Sequence, residues 1–117
     1  MKSRNDFFPI LGQEFPGYQQ ATLPPIPKTW VDTSWHNDLC PSFVVGSHKG
    51  CAVRVYIDCE KVADRCDPRV GKRYWITFDD CTMDDVGGQH LPDLPGISPY
   101  TTDDWNEVLE KCIPKNR

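Results

Sequence analysis

The sequence predicts a small α+β domain: an antiparallel sheet of three to four strands packed on one C-terminal helix, preceded by an extended Pro-rich arm. Three observations lead there. AVRVYID (52–58) and RYWITF (73–78) alternate apolar and polar residues with the period of a strand. TTDDWNEVLEKC (101–112) repeats its apolar residues with the period of a helix. Residues 1–28 hold five prolines (Pro9, Pro16, Pro24, Pro25 and Pro27), too many for a long helix. At 117 residues the chain is read as two parts, the arm (1–28) and one domain (29–117) large enough for a modest core.

The arm carries Phe7, Phe8, Phe15 and Tyr18 among its prolines. A flexible linker is polar and rich in Gly and Ser, so these rings are expected to dock on the domain or on a partner. TWVDTSW (about 29–35) is the first strand. WHNDLC (35–40) then turns the chain, because Asn37 and Asp38 favour bends and Pro41 disfavours helical backbone at Cys40. The strand at about 42–45 returns through Gly46 and Gly50 into the strand at 51–58, which places Phe43 and Val45 on the side of Val53.

One register suits both the 51–58 and the 73–79 strands. Pairing Val53 with Phe78, Val55 with Ile76 and Ile57 with Tyr74 gathers six apolar residues on one face, and a slip by one would scatter them. The opposite face then pairs Arg54 with Thr77, Tyr56 with Trp75, and Asp58 with Arg73 as a cross-strand ion pair. Glu60 to Arg65 is read as a helical turn and Thr82 to Tyr100 as irregular. The helix spans about 102–112. Thr101 or Thr102 caps it, Asp103 and Asp104 sit where its dipole favours acids, and Pro114 ends it. Trp105, Val108, Leu109 and Cys112 form its apolar stripe.

Charge is distributed unevenly. Between Asp79 and Glu110 stand nine acids (Asp79, Asp80, Asp84, Asp85, Asp93, Asp103, Asp104, Glu107, Glu110) and no Lys or Arg, whereas the whole chain has a net charge of −4. A field of one sign repels phosphates and attracts basic surfaces, so direct nucleic-acid binding is disfavoured and a basic protein partner favoured. No stretch approaches the roughly 18 apolar residues of a membrane helix, and the N-terminal residues lack the features of a signal peptide. The cytoplasm is therefore the expected location. Six cysteines would invite a disulfide framework in an exported protein, but here they are expected to act mostly as small buried hydrophobes.

Three groups of residues could carry function. Asp79, Asp80, Asp84, Asp85, Asp103 and Asp104, with Tyr56 and Trp75 as an aromatic anchor, form the expected partner-binding surface. No cofactor is expected; were a metal present, His48 and Cys51 with Cys81 and His36 or Cys40 supply the only N/S set, and the second pair of a knuckle is missing. An enzyme would have to use Cys40 as nucleophile and His36 as base. Tyr56 and Trp75 lie on the face away from the helix, where the arm is expected to cover them.

The run W-x-D-x-S-W-H-N-D-x-C-P-S-F (30–43), followed by a strand with an acidic end and a W-x-x-V-L helix, resembles small uncharacterised bacterial proteins. The resemblance spans Trp30 to Cys112 and implies one compact domain and a bacterial or phage accessory protein, with no functional residues to carry over. The reading as a whole is a small acidic interaction protein without catalytic activity, a regulator or inhibitor of a larger basic target. A zinc-stabilised binding module and a small Cys/His enzyme are its alternatives.

Overall fold

The computed structural model describes residues 8–48, 51–61, 72–78, 92, 94 and 97–112. In chain order these form a short helix α1 (Pro9–Glu14), a single 3-10 turn (Gln20–Thr22), β1 (Val31–Asp32), β2 (Ser42–His48), β3 (Cys51–Ile57), β4 (Tyr74–Phe78), β5 (Tyr100–Thr102) and α2 (Trp105–Cys112). The strands make one antiparallel sheet in sequence order, β1-β2-β3-β4-β5. The fold class is therefore the α+β arrangement expected, with five strands where three to four were predicted.

The β3/β4 register is the one that the alternation implies: Val53 faces Phe78, Val55 faces Ile76 and Ile57 faces Tyr74. Val53, Val55, Ile57, Tyr74 and Ile76 are buried together with Phe43 and Val45 of β2 and Val108 and Cys112 of α2. Full burial of side chains such as these stabilises by about 1.5–3 kcal/mol each, which is why a one-residue slip is not tolerated.

β5 escaped the pattern because three residues are too few to show alternation, and its two threonines look like helix caps. Thr102 does both jobs. It pairs with Tyr74, and its hydroxyl accepts the Asp104 N–H at 3.0 Å. The N-cap itself is Asp104, whose carboxylate accepts the Asn106 N–H at 3.0 Å, so α2 begins at Trp105 rather than at about residue 102. Glu107 turns back toward the cap, accepting from the Thr102 hydroxyl at 2.5 Å and the Tyr100 hydroxyl at 2.6 Å.

The first strand is shorter than the predicted 29–35. Asp32 Oδ1 accepts the Ser34 N–H at 3.1 Å, a local turn that peels the chain away after the Thr33 N–H has bonded the Ser42 carbonyl. β2, by contrast, continues past the predicted end at 45 to His48. It does so through a bulge between Val44 and Gly46. Gly46 is required there: a Cβ would stand 2.6 Å from Leu94 Cδ1 and 2.7 Å from the Pro92 carbonyl oxygen. Pro92 and Leu94 lie against β2 at this point, with the Ser47 N–H bonding the Pro92 carbonyl and the Leu94 N–H bonding the Ser47 carbonyl.

The arm is not simply extended. Pro9 occupies the first turn of α1, where its missing N–H costs nothing, and the Leu11 N–H is capped from a distance by Asp32 Oδ2 at 2.9 Å. Phe8, Phe15, Tyr18, Leu23 and Ile26 pack on the buried cluster, with Phe8 edge-on to Phe43 at 5.1 Å. The arm thus lies on the same face of the sheet as α2, and Trp105 Nε1 donates to the Pro25 carbonyl at 3.2 Å. The described arm residues, Phe8 and Phe15 among them, pack on the core face rather than on the Tyr56 and Trp75 face where the sequence reading placed the arm; Phe7 lies outside the described residues. Among the described residues, no helix is long and apolar enough to cross a membrane.

Candidate functional site

The WHNDLC bend is fastened to α1. Glu14 Oε1 accepts the His36 backbone N–H at 3.0 Å and the ring Nδ1–H at 2.6 Å, while the Asp38 N–H closes the bend on the Trp35 carbonyl. The ring hydrogen bond, followed by the backbone one, holds the Glu14 carboxyl below its usual range. The imidazole stays at the surface against the Trp35 ring, 4.2 Å between centroids.

This fastening presents apolar side chains to solvent. Trp35 is 48% exposed, Leu39 51% and Ile10, on α1, 48%. Ile10 and Trp35 stand over a cleft of about 510 Å³ that also includes Asp32, Asp38 and Arg54. Leu39 borders a second cleft of about 300 Å³, lined by Glu14, Phe15, Tyr18, Cys40 and Cys59. Sequence reasoning missed this surface. The available signal was the presence of two large apolar residues inside a bend otherwise built from turn formers.

A third cleft, of about 610 Å³, opens between the arm and the end of β3 and is lined by Tyr18, Gln19, Thr22, Cys59, Glu60 and Lys61. Behind it lies a buried polar knot. Arg73 donates from Nε to the Asp58 carbonyl at 2.9 Å, to the Tyr74 hydroxyl at 3.2 Å, and to the Tyr18 hydroxyl and Thr22 carbonyl at 3.2 and 3.1 Å. The predicted Asp58–Arg73 ion pair is thus replaced by a bond to the Asp58 backbone, since the Asp58 carboxylate instead accepts the Cys59 N–H at 2.7 Å. Burial pushes the Tyr18 phenol up to about 12, against the pull of Arg73.

Asp79, Asp80, Asp84 and Asp85 lie outside the described residues. Asp103 and Asp104 are exposed at the start of α2, where Asp104 is the cap and Asp103 Oδ1 accepts the Arg73 N–H at 2.8 Å. Tyr56 and Trp75 pair across the outer face of the sheet, 6.0 Å between rings, and Trp75 Nε1 donates to the Lys72 carbonyl.

Of the hypothetical metal set, His48 and Cys51 face each other across the β2/β3 pair, whereas Cys40 precedes the opposite end of β2. His48 Nδ1–H donates to the Leu94 carbonyl at 3.0 Å and the ring lies against Phe78. Cys51 is disulfide-bonded to a cysteine outside the described residues, which corrects the expectation of a thiol there and leaves no thiolate for a metal. Cys81 is also outside the described residues. Among the described residues, no three His, Cys, Asp or Glu side chains come together to hold a metal ion. As for the Cys/His pair, Cys40 is only 1% exposed while His36 is held at the surface by Glu14, so the thiol faces the interior and the imidazole the solvent.

Searches against family models, curated proteins and solved structures return no significant match for the chain.

Proposed function

We propose that the protein acts by contact: a small non-catalytic interaction protein, a bacterial or phage accessory regulator or inhibitor, that binds a larger basic protein. The carrying observation is the run of nine acids between Asp79 and Glu110 without a Lys or Arg. A basic partner surface is steered toward such a field and a competing phosphate backbone is repelled by it. Asp103, Asp104 and Glu110 are exposed at α2, in keeping with this role. The exposed side chains of Ile10, Trp35 and Leu39 supply apolar anchors of the kind that dominate interface energetics.

Cytoplasmic location belongs to the proposal as well; a disulfide at Cys51 is more at home in an oxidising compartment, and alkylation of protein taken directly from its native cell decides the point. The contact reading is tested by capturing partners from that cell and measuring the affinity of each for wild type and for a variant with Asp79, Asp80, Asp84 and Asp85 changed to Lys. A basic partner whose binding falls by about a hundredfold or more supports the reading. Equal affinity for both proteins defeats it.

A further inference from the structure

Among the described residues β1 is an outer strand of the sheet, paired with β2 on one side only. The Thr33 N–H bonds the Ser42 carbonyl, and successive residues of a strand turn their backbone groups to opposite sides, so the Asp32 N–H and carbonyl point away from β2. Val31, Asp32, Thr33 and Ser34 line the cleft of about 510 Å³ that Ile10 and Trp35 overlook. The open strand edge and the exposed apolar side chains therefore share one depression. An extended segment lying in it meets a backbone donor and acceptor, as in strand addition.

The side chains around the edge define what that segment should carry. Trp35 is 48% exposed, yet the bend that bears it is closed by the Asp38 N–H on the Trp35 carbonyl, and the His36 ring, fastened by Glu14, lies 4.2 Å from the indole. An aromatic ring fixed before binding is an anchor with little freedom left to lose, and indole is the best ring for a cation. Two carboxylates share the cleft with it. Asp32 is held by the N–H groups of Leu11 and Ser34, whereas half-buried Asp38 accepts no hydrogen bond from another described residue at its carboxylate. Arg54 is the one base of the lining, so two acids against one base leave the cleft a net charge of −1.

We propose, on the basic-partner reading above, that this cleft receives an extended segment of a basic protein and holds one of its Lys or Arg side chains against Trp35 and Asp38. The ammonium or guanidinium group gains from the indole face and the carboxylate, and its carbon stem gains from Ile10. A neutral segment of the same shape keeps only the backbone and apolar contacts. An acidic or phosphate-bearing segment meets Asp32 and Asp38 as like charges, so the cleft selects for positive charge.

The test titrates the full chain, isotope-labelled for NMR, with the peptide acetyl-Thr-Val-Arg-Val-Thr amide and with its citrulline counterpart, which keeps the shape and loses the charge. The arginine peptide should shift the backbone amides of residues 31–34 and the Trp35 indole to saturation, and should bind about fivefold or more tightly than the citrulline peptide. Trp35→Ala and Asp38→Asn should each weaken it by about the same factor while the signals of β3 and β4 stay in place. Equal affinity for the two peptides, or no saturable shift at these residues, overturns the proposal. A captured basic partner separates this site from the wider reading. If the Lys variant at Asp79, Asp80, Asp84 and Asp85 loses that partner while Trp35→Ala and Asp38→Asn bind it as wild type does, the cleft is not its site; a partner bound equally by every variant defeats the contact reading as well.

Discussion

Arg73 reaches the backbone of Asp58, not its carboxylate: Nε donates to the Asp58 carbonyl at 2.9 Å while the Asp58 N–H bonds the Arg73 carbonyl at 2.8 Å. The guanidinium is thereby free to spread its other donors over Tyr74 and, across some fifty residues of sequence, over Tyr18 and Thr22 of the arm. Strand end and arm are locked by one side chain. Replacing Arg73 with Met leaves the Thr22 carbonyl short of a donor, and the Asp58 carbonyl with the Tyr18 hydroxyl as its remaining side-chain donor, in a part-buried setting, and should cost about 2–4 kcal/mol. Urea unfolding measures it, and protease cleavage within the arm should accelerate in the variant. A loss below about 0.5 kcal/mol would mean that the arm is held by its apolar packing and its other hydrogen bonds, without help from Arg73.

Tyr18 makes the fold sensitive to alkali. Its folded pKa of about 12 lies above the ordinary value of 10.0, so its contribution to stability is fully present below pH 10 and is lost as pH rises from about 10 to about 12. The phenolate absorbance should show Tyr18 ionising late, beside a Tyr100 that its hydrogen bond to Glu107 also raises, and Tyr18→Phe should remove the Tyr18 part of that late rise and flatten the alkaline fall in the unfolding midpoint.

Acid acts elsewhere, on two carboxylates at opposite ends of the described chain. Glu14 is lowered by its hydrogen bonds from His36, and Glu107 by those from the Thr102 and Tyr100 hydroxyls. A lowered folded pKa contributes stability above the ordinary value of 4.5, lost as pH falls through the folded value. The unfolding midpoint of the wild type should therefore drop with pH below about 4.5, and Glu14→Gln and Glu107→Gln should each start lower but fall less steeply. A parallel curve for either variant would show that its carboxylate contributes nothing in ionised form.

Gly46 leaves no space for a side chain. With Leu94 Cδ1 and the Pro92 carbonyl oxygen at 2.6 and 2.7 Å from the position of a Cβ, Gly46→Ala must displace Pro92 and Leu94 or the bulge. The expected cost is about 1–3 kcal/mol by denaturant unfolding. The bond from the Leu94 N–H to the Ser47 carbonyl should weaken with it, seen as faster exchange of the Leu94 amide.

Much of this architecture is legible in the sequence, and the reason is periodicity. Val53, Val55 and Ile57 against Tyr74, Ile76 and Phe78 admit one register, and Trp105, Val108, Leu109 and Cys112 admit one helix face. What stayed hidden depends on contacts between distant residues or on segments too short to repeat. Pro9 looks like a helix breaker until Asp32, more than twenty residues away, caps the Leu11 N–H behind it. Tyr100–Thr102 is a strand only because Tyr74–Ile76 offers an edge. The Glu14–His36 fastening that exposes Trp35 and Leu39 joins residues 22 apart, with no local pattern to announce it. Partner choice is less legible still, because a charge run names a sign and not a molecule.

The central claim is contact through an acidic surface, and the salt dependence of association tests it most directly. For the captured partner, the association rate should fall by about tenfold or more as ionic strength rises from low to near-physiological values and beyond, and the Lys-substituted variant at Asp79, Asp80, Asp84 and Asp85 should lose that dependence together with its affinity. A rate that ignores salt and is unchanged in the variant would contradict the account.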